Sequence, residues 1–190
     1  MIETVLLEDG CFYHIYNRGN NKEDIFFEDV NYAYFLLLLK RYILPIADIY
    51  AYCLLRNHFH LLIRIKDETL YSPKQSFSNL FNAYAKALNK NYNRSGKLFS
   101  ERFKKKKVVE DSYLTEIVFY LHTNPQKHKL VTDFRKYRYS SYQTILSDKN
   151  TDLKRDEIIA WFGSKQMFEK YHDDRYLAIH ESLYLDDLEL

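Results

Sequence analysis

Two cysteines, three prolines and four glycines are all that this chain of 190 residues contains. Cys11 and Cys53 lie in apolar, strand-like runs. They have neither zinc-site spacing nor the density of a disulfide scaffold, so a reducing, cytoplasmic setting is expected. With so little glycine and proline there is no low-complexity linker, and no internal repeat is visible. No basic segment leads into an apolar run and a small-residue cleavage site, so no signal peptide is expected. The apolar run at 36–39 is far too short to span a bilayer, which excludes a membrane-spanning role for it. Charge of one sign is also missing in bulk. The formal net charge is only +2, so an anionic partner has to be held by a local patch. What is abundant is apolar and aromatic: 46% of residues are hydrophobic, with 18 tyrosines and 13 phenylalanines, enough for one well-filled domain and a small appendage.

The pattern along the chain predicts a strand at 12–17, a turn at Arg18-Gly19-Asn20-Asn21, and a helix from an Asp29 cap to about Ile43, ended by Pro45. Strands at 46–54 and 58–65 follow as a hairpin, then a loop containing Pro73. Apolar residues at helical spacing (Phe77, Leu80, Phe81, Tyr84, Ala85, Leu88) predict a helix over 75–92. Short extended segments at 98–110 lead to a helix that Ser112 can cap and that Asn124-Pro125 stops. The first six elements read βαββαβ, an α+β, ferredoxin-like sandwich whose antiparallel sheet has helices on one face and a site on the other. The domain is drawn at 1–147, and 148–190 is a helical C-terminal extension of unknown role with an acidic end.

Three features bear chemistry. On the strand at 58–65, His58 and His60 share a face while Phe59 points away, which makes the imidazoles half of a divalent-metal site. Taken alone, this pattern is weak, because His-x-His also arises by chance. Tyr120 and Asn124 are one helical turn apart on a common face; a tyrosine can be a covalent nucleophile and an Asn oxygen a metal ligand. On spacing alone, an ordinary tyrosine before an Asn-Pro helix stop is the simpler reading. His122 points off that face and is expected at the surface. Lys86, Lys90, Arg94, Lys97, Arg102 and Lys104-Lys105-Lys106-Lys107 are opposed only by Glu101 and interleaved with Tyr84, Tyr92, Phe99 and Phe103. Such a stretch suits single-stranded nucleic acid, with cations on phosphates and rings on bases. A solvated charged face is the alternative.

Five segments together resemble the REP-associated tyrosine transposases, a branch of the single-tyrosine HUH endonucleases. They are Tyr13-His14-Ile15-Tyr16-Asn17-Arg18-Gly19-Asn20, the run from Tyr52 to Leu62 around His58-Phe59-His60, Gly96-Lys97-Leu98-Phe99-Ser100-Glu101-Arg102-Phe103-Lys104, Tyr120-Leu121-His122-Thr123-Asn124-Pro125, and Arg138-Tyr139-Ser140-Ser141-Tyr142. The likeness runs from about residue 10 to 146. It implies that His58, His60 and Asn124 hold a divalent ion, Mg²⁺ or Mn²⁺, and that Tyr120 is the nucleophile. It implies cleavage and rejoining of single-stranded or hairpin DNA through a 5′-phosphotyrosine, by a monomer or homodimer. Arg18, Lys97, Arg102 and Lys104 to Lys107 are the expected DNA contacts. The sequence departs from the family at Leu55-Arg56, where Met-Pro is usual, and at Gln126-Lys127-His128, where Val-Arg-Ala is usual. His14 and Arg18 read equally as site residues or as structural ones, and Ser140, Ser141 and Tyr142 as packing and capping residues. No general base is identifiable. A domesticated DNA-binding protein with little cleavage is the alternative, and Tyr113 is the next candidate nucleophile.

Overall fold

The computed structural model describes residues 6–100, 103–110 and 112–181. Four strands, β1 (Phe12–Arg18), β2 (Ala47–Leu55), β3 (His58–Ile65) and β4 (Lys104–Val108), form one sheet in the order β2-β3-β1-β4. Each adjacent pair is antiparallel. With α1 (Asp29–Tyr42) and α2 (Pro73–Asn91) in the crossovers, this is the expected βαββαβ sandwich. The helices α3 (Ser112–Lys127), α4 (Tyr142–Leu146), α5 (Arg155–Phe162) and α6 (Lys165–Glu181) follow.

Alternation along the strands sorts side chains into two cores. Tyr13, Ile15, Phe59, Leu61 and Ile63 face α1 and α2, where they meet Phe35, Leu39, Phe77, Leu80 and Tyr84. Phe59 is fully buried there, with its ring 5.0 Å from that of Phe35. Burial of one such side chain stabilises by about 1.5–3 kcal/mol. Ala51, Cys53, Leu55 and Leu62 face the other way, against Leu114, Ile117, Val118, Leu121, Tyr142, Ile158 and Phe168. The second sheet face is therefore not open, as the βαββαβ pattern alone suggests. α3 to α6 cover most of it, and the near-continuous burial of β2 records cover on both sides. The C-terminal helices belong to this second core: Trp161 stacks on Tyr50 at 4.9 Å, and the Tyr50 hydroxyl donates to Glu157.

Helix ends differ from expectation in instructive ways. Glu28, not Asp29, caps α1, in a reciprocal capping box with Asn31. Pro73 is no loop residue: it starts α2 behind a Ser72 cap, where a missing N–H costs nothing. Pro125 does not stop α3. It lies within the last turn, and the helix closes beyond it in a Schellman arrangement, with Lys129 N–H donating to Gln126 O and Leu130 N–H to Pro125 O. Lys129 takes the left-handed conformation there, at φ +58°. The helix so extended carries His128, whose N–H bonds Asn124 O.

Four contacts at three residues of α3 tie it to the sheet. Lys106 of β4 lies over the Tyr113 ring, His14 of β1 and His60 of β3 flank Tyr120, and His58 of β3 abuts His128.

Candidate metal and nucleophile site

The β2–β3 hairpin turns through Arg56 and Asn57, which presents His58 at the very start of β3. The tip is held from below by the turn after β1: Gly19 N–H donates to Asn57 O. A side chain at Gly19 would meet the Glu23 carbonyl oxygen at 1.9 Å, so only glycine lets the turn after β1 fold back on itself this tightly. His58 and His60 then lie beside Arg18 and Tyr16, their register partners on β1. The His58 and His60 rings are 5.2 Å apart and share the face turned toward α3.

Hydrogen bonds assign the tautomer of His58. Asn57 Nδ2 donates to Lys22 O, so Asn57 Oδ1 is the atom facing His58 Nδ1 at 2.6 Å. An amide oxygen only accepts, hence His58 Nδ1 carries the proton and Nε2 is a bare lone pair. His58 Nε2 is buried and has no partner. His60 Nδ1 lies 2.9 Å from His14 Nε2, and His60 Nε2 is likewise buried and unpartnered. If His60 donates to His14, its Nε2 is a second bare lone pair, the support that metal-ligating imidazoles commonly receive. On α3, Asn124 Nδ2 donates to Tyr120 O at 2.6 Å, which leaves Asn124 Oδ1 as a third buried acceptor without a partner. An unsatisfied buried polar atom costs about 1–3 kcal/mol, so their grouping calls for an explanation.

Burial keeps these imidazoles neutral. It lowers His58 to about 3, helped by His128 and Arg18, and His14 to about 4, helped by Lys106. His60, wholly buried beside His14, His58 and His128, is held well below the usual range. Neutral nitrogen and amide oxygen atoms are donor types suited to first-row divalent ions. Among the described residues no three His, Cys, Asp or Glu side chains gather to hold a metal.

Tyr120 lies against this group, with its ring 5.6 Å from that of His60 and 5.9 Å from that of His14. Burial raises its phenol, and the Asn124 amide pulls it part of the way back. Asn124, one turn on, lies between Tyr120 on His60 and His128 on His58. A cleft of about 680 Å³ opens beside the histidines, lined by Tyr16, Arg18, Asn20, Lys22, Ser100 and Lys104 among others.

No family model matches the chain, and no curated protein matches it in sequence. A solved structure does match: that of the REP-associated tyrosine transposase bound to a REP hairpin. The superposition has a TM-score of 0.62, with 13% identity, and covers 78% of this chain and 86% of that one. This chain shares its fold with a tyrosine transposase. At that identity the likeness extends to the fold.

The other residues singled out in the sequence separate. Arg18 and Lys104 line the cleft, and Lys97 is exposed outside its lining. Arg102 falls outside the described residues. The four lysines of β4 do not act as one patch, because strand alternation divides them. Lys104 and Lys106 pair with Tyr16 and His14 and point to the site face. Lys105 and Lys107 pair with Ile15 and Tyr13 and point to the opposite one. Lys107 there bonds Glu8 at 2.6 Å, and Lys105 lies over Phe103. His122 is not at the surface but wholly buried, because α6 covers the back of α3. Sequence reading missed Tyr16 and His128 as members of the site. Their signals were the period-two alternation His14–Tyr16–Arg18 and the helical spacing Tyr120–Asn124–His128.

Proposed function

We propose that this protein is a metal-dependent endonuclease and strand transferase acting on single-stranded or hairpin DNA. The observation that carries the reading is the grouping of buried, unpartnered His58 Nε2, His60 Nε2 and Asn124 Oδ1 beside the Tyr120 ring, at a cleft rimmed by cations. The shared fold with a transposase bound to a hairpin supports it.

His58, His60 and Asn124 would hold a divalent ion, Mg²⁺ or Mn²⁺. When bound, it supplies charge for a phosphate oxygen and for the pentacovalent transition state. The residues do the rest. Arg18 and Lys104 draw a phosphodiester into the cleft. His14 and Asn57 fix the two imidazole rings, so the ligands do not reorganise during the reaction. Tyr120 Oη attacks phosphorus in line. The Oη–P bond forms as the P–O3′ bond breaks, and the phenolic proton passes to solvent while the leaving oxygen gains one and becomes a free 3′-hydroxyl. The product is a 5′-phosphotyrosine. Attack by another 3′-hydroxyl reverses the step and joins strands, which conserves the bond energy without a nucleotide cofactor.

The test is a denaturing gel. A labelled hairpin oligonucleotide with single-stranded flanks should leave a band that resists denaturation, in Mg²⁺ or Mn²⁺ and not with chelator. Binding without any adduct, over a panel of hairpins and both metals, would favour the second reading, a DNA-binding protein that keeps the fold and not the cleavage.

A further inference from the structure

Tyr113 is an exposed aromatic at the start of the helix that carries the nucleophile. It precedes Tyr120 by seven residues, two helical turns, and so lies on the same side of α3. The residue is 42% exposed, with Lys106 Nζ 5.5 Å from its ring centroid. Lys106 belongs to the site face of β4: it pairs with His14, as Lys104 pairs with Tyr16 at the cleft. A line of two cations therefore runs from the cleft along the outer strand and ends at an open ring. No acidic side chain pairs with Lys104 or Lys106 among the ion pairs of the described residues.

We propose that Tyr113 is a stacking platform for a base of single-stranded DNA, on a strand whose phosphates follow Lys104 and Lys106 out of the cleft. The occupant follows from charge complementarity and from geometry. Seven helical residues rise about 10.5 Å, a distance that a short run of single strand can span. The strand thus reaches Tyr113 a short distance beyond the phosphorus that Tyr120 attacks. Stacking on an aromatic tolerates any base, because each has a π-face. This subsite would hold the strand in place without reading its sequence. The inference rests on the reading of the cleft as a DNA site.

Two 12-nucleotide probes separate stacking from charge: oligo(dT), and a strand of the same length with abasic residues throughout. Fluorescence anisotropy should show Tyr113→Ala weakening oligo(dT) binding about five-fold or more, with Tyr113→Phe close to wild type. The abasic strand should bind wild type and Tyr113→Ala alike, whereas Lys106→Ala should weaken both probes. Melting temperatures of the variants control for folding. Equal oligo(dT) affinity for wild type and Tyr113→Ala would overturn the platform and leave the endonuclease reading intact. An equal loss on both probes would overturn it too, by showing a general effect on the surface. Wild type that binds neither probe would overturn the platform, and the hairpin gel would decide the endonuclease reading separately.

Discussion

Two buried histidine clusters lie on either side of α3, and only one of them has spare chemistry. Behind the helix, every imidazole nitrogen has a partner. His172 Nδ1 donates to Phe168 O at 2.8 Å, so His172 Nε2 accepts from His122 Nδ1 at 3.0 Å. His122 Nε2 then accepts from the Ser141 hydroxyl at 2.8 Å, and that oxygen accepts in turn from Tyr52 N–H. The chain of donors runs one way from β2 through α3 to α6. In front of the helix, His58 and His60 use one nitrogen each and leave the other facing nothing. Both clusters are buried, and in both burial depresses the imidazoles. A depressed imidazole is thus no mark of a site here. The mark is the lone pair left without a partner, next to an unpartnered amide oxygen and a tyrosine.

The comparison breaks most visibly at the nucleophile. Tyr120→Phe should abolish the covalent adduct, a fall of at least about a thousand-fold on the scale of lost nucleophiles. Packing volume is conserved, so the melting temperature should hardly move. Adduct at the wild-type rate would move the nucleophile elsewhere. His58→Ala should lose the adduct through loss of the ion. His122→Gln should leave some adduct per folded molecule, since that side chain faces away from the cleft.

Stability should respond in the reverse order. His172→Ala removes the end of a satisfied buried network and leaves His122 Nδ1 without its acceptor. We expect a loss of about 2–4 kcal/mol, read by urea denaturation. His58→Ala removes a side chain already missing one partner and should cost less. A His172→Ala variant as stable as wild type would mean that the rear network contributes nothing to holding α3.

Acid should destabilise both clusters. The unfolded chain binds protons to these histidines below about pH 6.5, whereas the folded protein resists until about 4 at His14 and His172 and about 3 at His58. Between those limits the unfolded state holds more protons, so unfolding free energy rises with pH. From pH 6.5 down to 5, each such imidazole should withdraw about 1–2 kcal/mol. A flat stability profile over that range would contradict the burial of neutral rings.

The smallest effect divides the lysines. Replacing Lys104 and Lys106 should reduce the salt dependence of DNA binding by about one unit of slope per lost phosphate contact. Replacing Lys105 and Lys107 should change it little, because they point to the other face. Equal slopes for the two double variants would mean that strand alternation does not sort these charges.

The sequence disclosed the succession of strands and helices along the chain, the shared face of His58 and His60, and the helical pairing of Tyr120 with Asn124, because each follows from a local period. It did not disclose what covers the second sheet face. That depends on where α5 and α6 dock, and residues such as Trp161 and Phe168 carry no sign of their partner in their own spacing. The same gap hid His122. Its orientation away from Tyr120 was legible, but not that another helix lies there. Pro125 misled because proline usually ends a helix, and here it falls in a final turn that a Schellman closure completes.

The most direct test counts imidazole nitrogens on a bound ion. Mn²⁺ added to the protein should give an electron spin-echo modulation from two directly coordinated imidazole nitrogens. One should vanish in His58→Ala, and both should persist in His122→Gln. A spectrum without coordinated imidazole, or one unchanged by His58→Ala, would contradict the assignment of the unpartnered lone pairs to a metal.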